Sequence, residues 1–174
     1  MLRLVRDQWL RIGAAAIAAS TALAALIRFG LSADGAIAAF VCIVLVVLTV
    51  TDIERRRLPN RIVLPSAVAA LIARTVASGG TEWVIAGVGA ALFFLVVALI
   101  YPAGLGMGDV KLALLLGFAL GRSTPIALAA GLFAALVYSA AVLIRSGWSA
   151  RTTSFALGPF LALGGLIALF VTTP

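Results

Sequence analysis

The chain has 174 residues, of which 64% are hydrophobic and 11% are charged, and its mean hydropathy is +1.22. A soluble domain of this size does not need so much apolar surface. The apolar runs are continuous rather than alternating, which indicates membrane-spanning helices and argues against a β-barrel. The net charge is +7. Because basic residues flank the apolar runs, and no basic stripe carries interleaved aromatics, this charge indicates membrane topology rather than nucleic-acid binding.

The cysteine and histidine content limits the chemistry that the chain can perform. The sequence contains one cysteine, Cys42, and no histidine. A disulfide within the chain is therefore impossible, and a cysteine-based zinc site is not expected. The lack of histidine excludes Ser-His-Asp catalysis, histidine-ligated metals and histidine proton relays. We expect neither a metal nor a cofactor, and the available groups are carboxylates, one lysine, arginines, hydroxyls and backbone.

The order of the apolar segments predicts an all-α, polytopic membrane protein with six to seven transmembrane helices. We expect a single membrane-embedded domain over residues 1–174. The uncertain segment is 110–120, since a helix of that length covers roughly 16 Å, about half of the hydrocarbon core. It is either lengthened by loop residues, tilted, or re-entrant. The predicted segments are 12–27, 36–50, 62–77, 84–101, 110–120, 125–144 and 155–171.

The distribution of basic residues predicts the orientation. In a layout with seven crossings and a cytoplasmic N-terminus, the basic residues outside are Arg28, Arg74 and Arg122. A re-entrant short segment would instead place Arg145 and Arg151 outside and return Arg122 to the inside. The first layout satisfies the positive-inside rule slightly better. Both layouts place Asp52 and Asp109 on the cytoplasmic side.

The six acidic residues fall into two groups. One group lies in loops or near chain ends. We expect Asp7, Asp34 and Glu82 to be solvated and Glu54 to pair with a neighbouring arginine. The other group consists of Asp52 and Asp109, each at the junction between a loop and an apolar helix, at the same predicted membrane depth. Burying a charge without a partner at such a place is costly, so charged residues found there usually serve a function.

Two carboxylates a few Å apart cannot both ionise easily, so the pair shares a proton and titrates as a unit. That state suits peptide hydrolysis, because the ionised member takes a proton from water while the protonated member bonds the scissile carbonyl. Helix dipoles favour Asp109, which opens a helix, as the base and Asp52, which closes one, as the acid. The simpler alternatives are that Asp109 is a helix N-cap and that Arg55 or Arg56 neutralises Asp52.

Three glycines, Gly104, Gly106 and Gly108, precede Asp109. They permit close approach of a substrate backbone, a positive φ before a helix, or simply a flexible loop. Lys111 is two residues after Asp109 and points away from it on a regular helix. Lys111 therefore holds a loop carbonyl or the substrate or, more simply, extends to the membrane surface.

These residues resemble motifs of the bacterial type IV prepilin peptidases, which are intramembrane aspartyl proteases. Residues 106–112 resemble the Gly-x-Gly-Asp motif of that family. Residues 52–60 resemble its first aspartate motif, an Asp followed at a fixed distance by Leu-Pro-Asn. Residues 155–160 resemble a weaker third landmark and depart from it at Ala156 and Leu157. The two aspartate motifs occur in the right order, separated by two predicted spans, and the resemblance covers roughly residues 35–170.

The resemblance implies a reaction and a set of site residues. Asp52 and Asp109 would be the catalytic pair, and the residues that support them or bind substrate would be Gly106, Gly108, Lys111, Pro59 and Asn60. The substrate would be a prepilin with a basic leader and an apolar helix, cleaved at the cytoplasmic face of the bacterial inner membrane. Full-length members carry a methyltransferase region with paired Cys-x-x-Cys motifs. We find no such motifs, so we expect a short form without methyltransferase activity, as in tight-adherence (Flp) pilus systems.

Other functions use the same residues differently. A small proton- or cation-coupled transporter would also employ Asp52 and Asp109, but it predicts carboxylates near the middle of the membrane. A non-catalytic assembly factor with the same fold remains open. A Ser-Lys hydrolase is disfavoured, because no serine lies near Lys111 in the sequence.

Overall fold

The computed structural model describes residues 2–55, 57–102, 104–146 and 156–172, with backbone alone for residues 2–9, 11 and 146. Four side chains that enter the sequence predictions, Asp7, Arg56, Arg151 and Phe155, lie outside this described set. The described residues form seven α-helices and no strand. The helices are α1 (Leu2–Phe29), α2 (Ala33–Arg55), α3 (Asn60–Ser78), α4 (Glu82–Ile100), α5 (Met107–Leu120), α6 (Thr124–Ser146) and α7 (Gly158–Val171).

The helices have the length and composition of membrane spans, which confirms the prediction of an all-α polytopic membrane protein. Within the described chain, five segments are long and apolar enough to cross a membrane, and α7 is a shorter apolar helix. The fifth segment comprises α5, a 3-10 helix (Gly121–Ser123) and α6. Large hydrophobic side chains such as Ile100 and Ile144 are exposed, as expected of surfaces that face lipid. The five segments are Ile12–Phe29, Ala33–Arg55, Asn60–Ser78, Glu82–Ile100 and Met107–Arg145.

Helix α5 is the most enclosed helix of the bundle. Every residue from Leu115 to Leu120 is buried, and α5 packs chiefly against α4 and α3. A Cβ atom on Gly117 would lie 2.3 Å from the Cα atom of Gly87, so the crossing of α4 and α5 requires glycine. The short predicted segment thus forms the centre of the fold, which explains why its sequence is apolar after Lys111.

Two side-chain contacts show that α5 crosses the bundle rather than turning back. Near its start, Lys111 Nζ donates a hydrogen bond to Asn60 Oδ1 at 2.8 Å, at the first residue of α3. Near its end, Arg74 Nε donates to the carbonyl of Ala119 at 2.9 Å, in the last part of α3. Helices α3 and α5 therefore run side by side in the same direction. The structure favours the layout in which this segment crosses, with the 3-10 helix extending a helix of only about 21 Å.

The end of the bundle at which α3 finishes carries paired charges. Arg74 is buried, and its NH1 atom lies 2.5 Å from Asp34 Oδ1. Its guanidinium lies 4.7 Å from the centre of the Trp83 ring. The expectation of a merely solvated Asp34 is wrong, because folding brings a buried arginine to it. Trp83 itself is buried, and its Nε1 donates a hydrogen bond to the carbonyl of Gly79.

A second ion pair lies at the same end. Arg122 Nε lies 2.7 Å from Glu82 Oε2; the arginine side chain is exposed and the glutamate side chain is partly exposed. Glu82 therefore has an arginine partner, contrary to the expectation of simple solvation. Together with Arg74 and Asp34, this pair lines a cavity of about 480 Å³.

Candidate active site

Asp52 is held by the start of α7. It lies in the last turn of α2 and is 6% exposed. Its Oδ2 atom accepts a hydrogen bond from the backbone N–H of Gly158 at 3.1 Å. A Cβ atom at position 158 would lie 2.4 Å from the same oxygen. Only glycine therefore permits this approach.

Because of this contact, helix dipoles no longer assign Asp109 as the base and Asp52 as the acid. Asp52 closes α2, but it also faces the N-terminus of α7, where free N–H groups favour a negative charge. Both aspartates consequently lie at a helix N-terminus, and the dipoles do not distinguish a base from an acid. Among the described residues, the partner of Asp52 is the Gly158 N–H rather than Arg55.

Asp109 is held by the first turn of its own helix. Its Oδ2 atom accepts from the N–H of Gly106 at 3.2 Å, and its own N–H donates to the carbonyl of Gly106 at 3.0 Å. Gly106 is the N-cap residue of α5. The alternative in which Asp109 is itself the N-cap is therefore wrong, because Asp109 lies three residues later and satisfies the cap from inside the helix.

The two aspartates lie at the same end of the bundle. Asp52 exerts only a minor electrostatic effect on Asp109, and the two residues belong to different helices. Helices α2 and α5 contact one another only sparsely, whereas α3 packs along α5 and α7 packs along α2. The relative position of Asp52 and Asp109 therefore depends on α3, on α7 and on the connection between α2 and α3.

The glycines before Asp109 serve close packing. None of Gly104, Gly106 and Gly108 has a positive φ, so the expectation of a left-handed residue before α5 is wrong. A Cβ atom on Gly104 would lie 2.2 Å from the Tyr101 ring. A Cβ atom on Gly108 would lie 3.2 Å from the Cβ atom of Leu58, in the α2–α3 connection.

The remaining predicted residues join the start of α3 to α5. Pro59 is the N-cap of α3, with φ −71° and ψ 123°, and its carbonyl accepts from the N–H groups of Ile62 and Val63. Lys111 bonds the side-chain oxygen of Asn60 instead of simply extending to the surface. Of the interpretations offered by the sequence, binding to a carbonyl oxygen comes nearest, although the acceptor is a side-chain amide.

Gly158 is the site residue that the sequence analysis missed. Residues 155–160 suggested a landmark but no role. The available signal was the Gly158-Pro159 pair within an apolar segment, since proline in the first helical turn marks a helix start. The free N–H groups of a helix start suit a carboxylate.

An apolar cavity opens beside Asp52, between α1, α2 and α7. It has a volume of about 360 Å³, and its lining includes Ile53 and Pro159, the neighbours of Asp52 and Gly158. Within the described part of the chain, no cluster of three histidine, cysteine, aspartate or glutamate side chains could hold a metal ion.

Comparison with known proteins assigns this arrangement to a family. Residues 39–143 match the sequence model of the type IV leader peptidase family, over a range that includes both Asp52 and Asp109. The chain belongs to the type IV leader peptidase family. This family member is 34% identical over 154 residues to a prepilin leader peptidase/N-methyltransferase of Bacillus subtilis (strain 168). No solved structure matches the chain.

The similarity covers the two proteins unequally. It extends over 83% of this chain but only 59% of the Bacillus protein, so the chain spans about three fifths of the length of that relative. Several apolar helices together with this family membership indicate a bacterial inner-membrane protein.

Proposed function

We propose that this protein is an intramembrane aspartyl endopeptidase that removes the leader from type IV prepilin-like substrates at the cytoplasmic membrane face. The observation that carries the proposal is the pair of carboxylates at one end of the bundle. The connection that follows Asp52 contacts the first turn of α5, which holds Asp109, and each carboxylate accepts a hydrogen bond from a backbone N–H at a helix start. Water between them would be the nucleophile.

The reaction follows from the state of such a pair. One carboxylate takes a proton from water, and the water oxygen attacks the scissile carbonyl carbon. The other carboxyl group, protonated, donates to the carbonyl oxygen and stabilises the tetrahedral intermediate. The carbon–nitrogen bond then breaks, and the amine leaves with a proton from the dyad. The backbone bonds engage Oδ2 of each aspartate, which leaves Oδ1 of each for this chemistry.

The surroundings of Asp52 suit a substrate that resides in the bilayer. The apolar cavity between α1, α2 and α7 would admit an apolar helix laterally and bring its end to Asp52. The basic segment that follows Asp52 would contact lipid phosphates and set the topology. We propose peptidase activity without methyl transfer for this sequence, since its one cysteine cannot form paired Cys-x-x-Cys motifs.

The arrangement does not favour a transporter. Such a protein needs a polar path from Asp109 towards the other side of the membrane. Instead, α5 continues from Asp109 into a fully buried apolar stretch, Leu115 to Leu120. The polar cavity at the far end lies beyond that stretch, against Leu120 and Arg122.

Replacement of each aspartate tests the proposal. Asp52→Asn and Asp109→Asn should each lower the rate of leader removal at least about 100-fold, because each removes one half of the acid–base pair. The measurement is the leader-sized mobility shift of a co-expressed prepilin in cells without another prepilin peptidase. Glu82→Gln, at the opposite end of the bundle, is the control for loss of an acid. Wild-type processing by either aspartate variant would disprove the proposed dyad.

A further inference from the structure

The connection between α2 and α3 is docked onto the first turn of α5 by two contacts. Lys111 Nζ donates to Asn60 Oδ1 at 2.8 Å. A few residues away, Leu58 packs on Gly108 so closely that an added Cβ would lie 3.2 Å from the Cβ atom of Leu58. We call the four residues Leu58, Asn60, Gly108 and Lys111 the loop clamp.

The residues of the loop clamp lie close to both aspartates in the sequence. Asp52 is in the turn of α2 just before the connection, and Asp109 stands between Gly108 and Lys111. Because α2 and α5 contact each other only sparsely, direct helix packing does not fix the distance between their carboxylates. The clamp is one link from the end of α2 to the start of α5, and the packing of α7 on both helices is the other.

Lys111 does not have the geometry of a group that acts on the reacting atoms. Two residues beyond Asp109 on a regular helix, it faces a different direction from that aspartate. Its ammonium donates to an amide oxygen in an exposed, charge-assisted hydrogen bond. The bond joins positions 51 residues apart in the chain, so it holds tertiary structure rather than a local turn.

We propose that Lys111 and Asn60 are positioning residues, whose hydrogen bond docks the α2–α3 connection on α5 and thereby sets the separation of Asp52 and Asp109. The consequence for catalysis rests on the proposed peptidase function, whereas the docking itself does not. Loss of the bond should leave substrate binding intact and lower the rate of the chemical step, since small misplacements of catalytic groups have large effects on rate.

The docking can be measured without any activity. Leu58→Cys and Gly108→Cys, introduced together with Cys42→Ala, place two thiols at a Cβ separation close to that of a disulfide. The rate of disulfide formation in membranes should fall at least about fivefold when Lys111→Met or Asn60→Leu is added. Arg61→Met is the matched control, because it removes an exposed cation next to Asn60. An unchanged rate in the Lys111 and Asn60 variants would overturn the proposal.

Kinetics with an otherwise native chain separate positioning from substrate contact. Asn60→Leu and Lys111→Met should each lower kcat about tenfold or more with little change in KM, and the double variant should be no worse than either single variant. Asn60→Asp should restore most of kcat, because it keeps an oxygen acceptor for Lys111. Multiplying effects in the double variant, or a rise in KM alone, would contradict positioning.

The two proposals fail separately. If Asp52→Asn and Asp109→Asn process prepilin normally, the proposed dyad is wrong, and the disulfide rates still decide whether the clamp exists. If both aspartate variants are inactive while Asn60→Leu behaves as wild type in both assays, only the clamp is wrong.

Discussion

The two ends of α2 present acidic residues in opposite ways. Asp34, in its first turn, lies against the buried cation of Arg74. Asp52, eighteen residues later and roughly 27 Å along the axis, is held by a backbone N–H. Within the described residues, no lysine or arginine forms an ion pair with Asp52 or Asp109. One end of the bundle therefore neutralises its carboxylate, and the other end orients its carboxylates and leaves them available to exchange protons.

The end of the bundle that holds Asp34 contributes to stability, whereas the end that holds Asp52 and Asp109 carries the proposed chemistry. A carboxylate paired with a fixed guanidinium contributes to the packing of the helices as part of an ion pair. A carboxylate held by N–H groups keeps its orientation in either protonation state, since its second oxygen can carry the proton. Substitutions at the two ends should accordingly affect different measurements.

The largest effect on activity, after loss of an aspartate, is expected from Gly158→Ala. The added methyl group would lie 2.4 Å from Asp52 Oδ2, so the carboxylate must move. Processing should fall about 100-fold, as expected for a displaced catalytic group. Gly89→Ala is the matched control, because nothing lies within 4 Å of a Cβ atom there. Equal activity of the two variants would show that the α7 contact does not position Asp52.

Arg74→Met should reverse that pattern. It removes the partner of Asp34 and the donor to the Ala119 carbonyl, so the free energy of unfolding should fall by about 2–4 kcal/mol. Activity per folded molecule should stay close to wild type. Thermal unfolding in detergent micelles, combined with processing assays below the transition, measures both. A stable but inactive Arg74→Met protein would mean that the two ends are coupled.

The smallest effect is expected from the exposed ion pair. Glu82→Gln removes a contact to Arg122, whose side chain is 88% exposed, so solvent already screens most of the attraction. The free energy of unfolding should change by no more than about 0.5 kcal/mol, as is usual for surface ion pairs. A change as large as that of Arg74→Met would indicate that the pair is far less accessible in the membrane than its exposure suggests.

The sequence predicted the helices better than it predicted their ends and partners. Continuous apolar runs located every span, because burial in lipid requires them regardless of how helices pack. The start of α5 was missed by three residues, since Met107 and Gly108 read as part of a glycine-rich loop. Gly106 acts as the N-cap through its backbone, so no capping side chain in the sequence indicated where α5 begins.

The partners of the charged residues could not be predicted in the same way. Arg74 meets Asp34 across 40 residues of sequence, and Lys111 meets Asn60 across 51. Such pairs depend on which helices become neighbours, and hydropathy does not carry that information. The contact of Gly158 could not be predicted for the same reason, because it depends on α7 beginning beside Asp52.

The amino-acid sequence alone determined a helical membrane protein with two acidic residues at the boundaries of apolar segments, because hydrophobic length and the cost of a charge in lipid are local properties. Tertiary structure decided that α5 crosses beside α3 and that, among the described residues, backbone N–H groups rather than arginines hold Asp52 and Asp109. These features depend on helix packing. At several crossings, that packing is controlled by close contacts between a glycine and a neighbouring side chain or backbone.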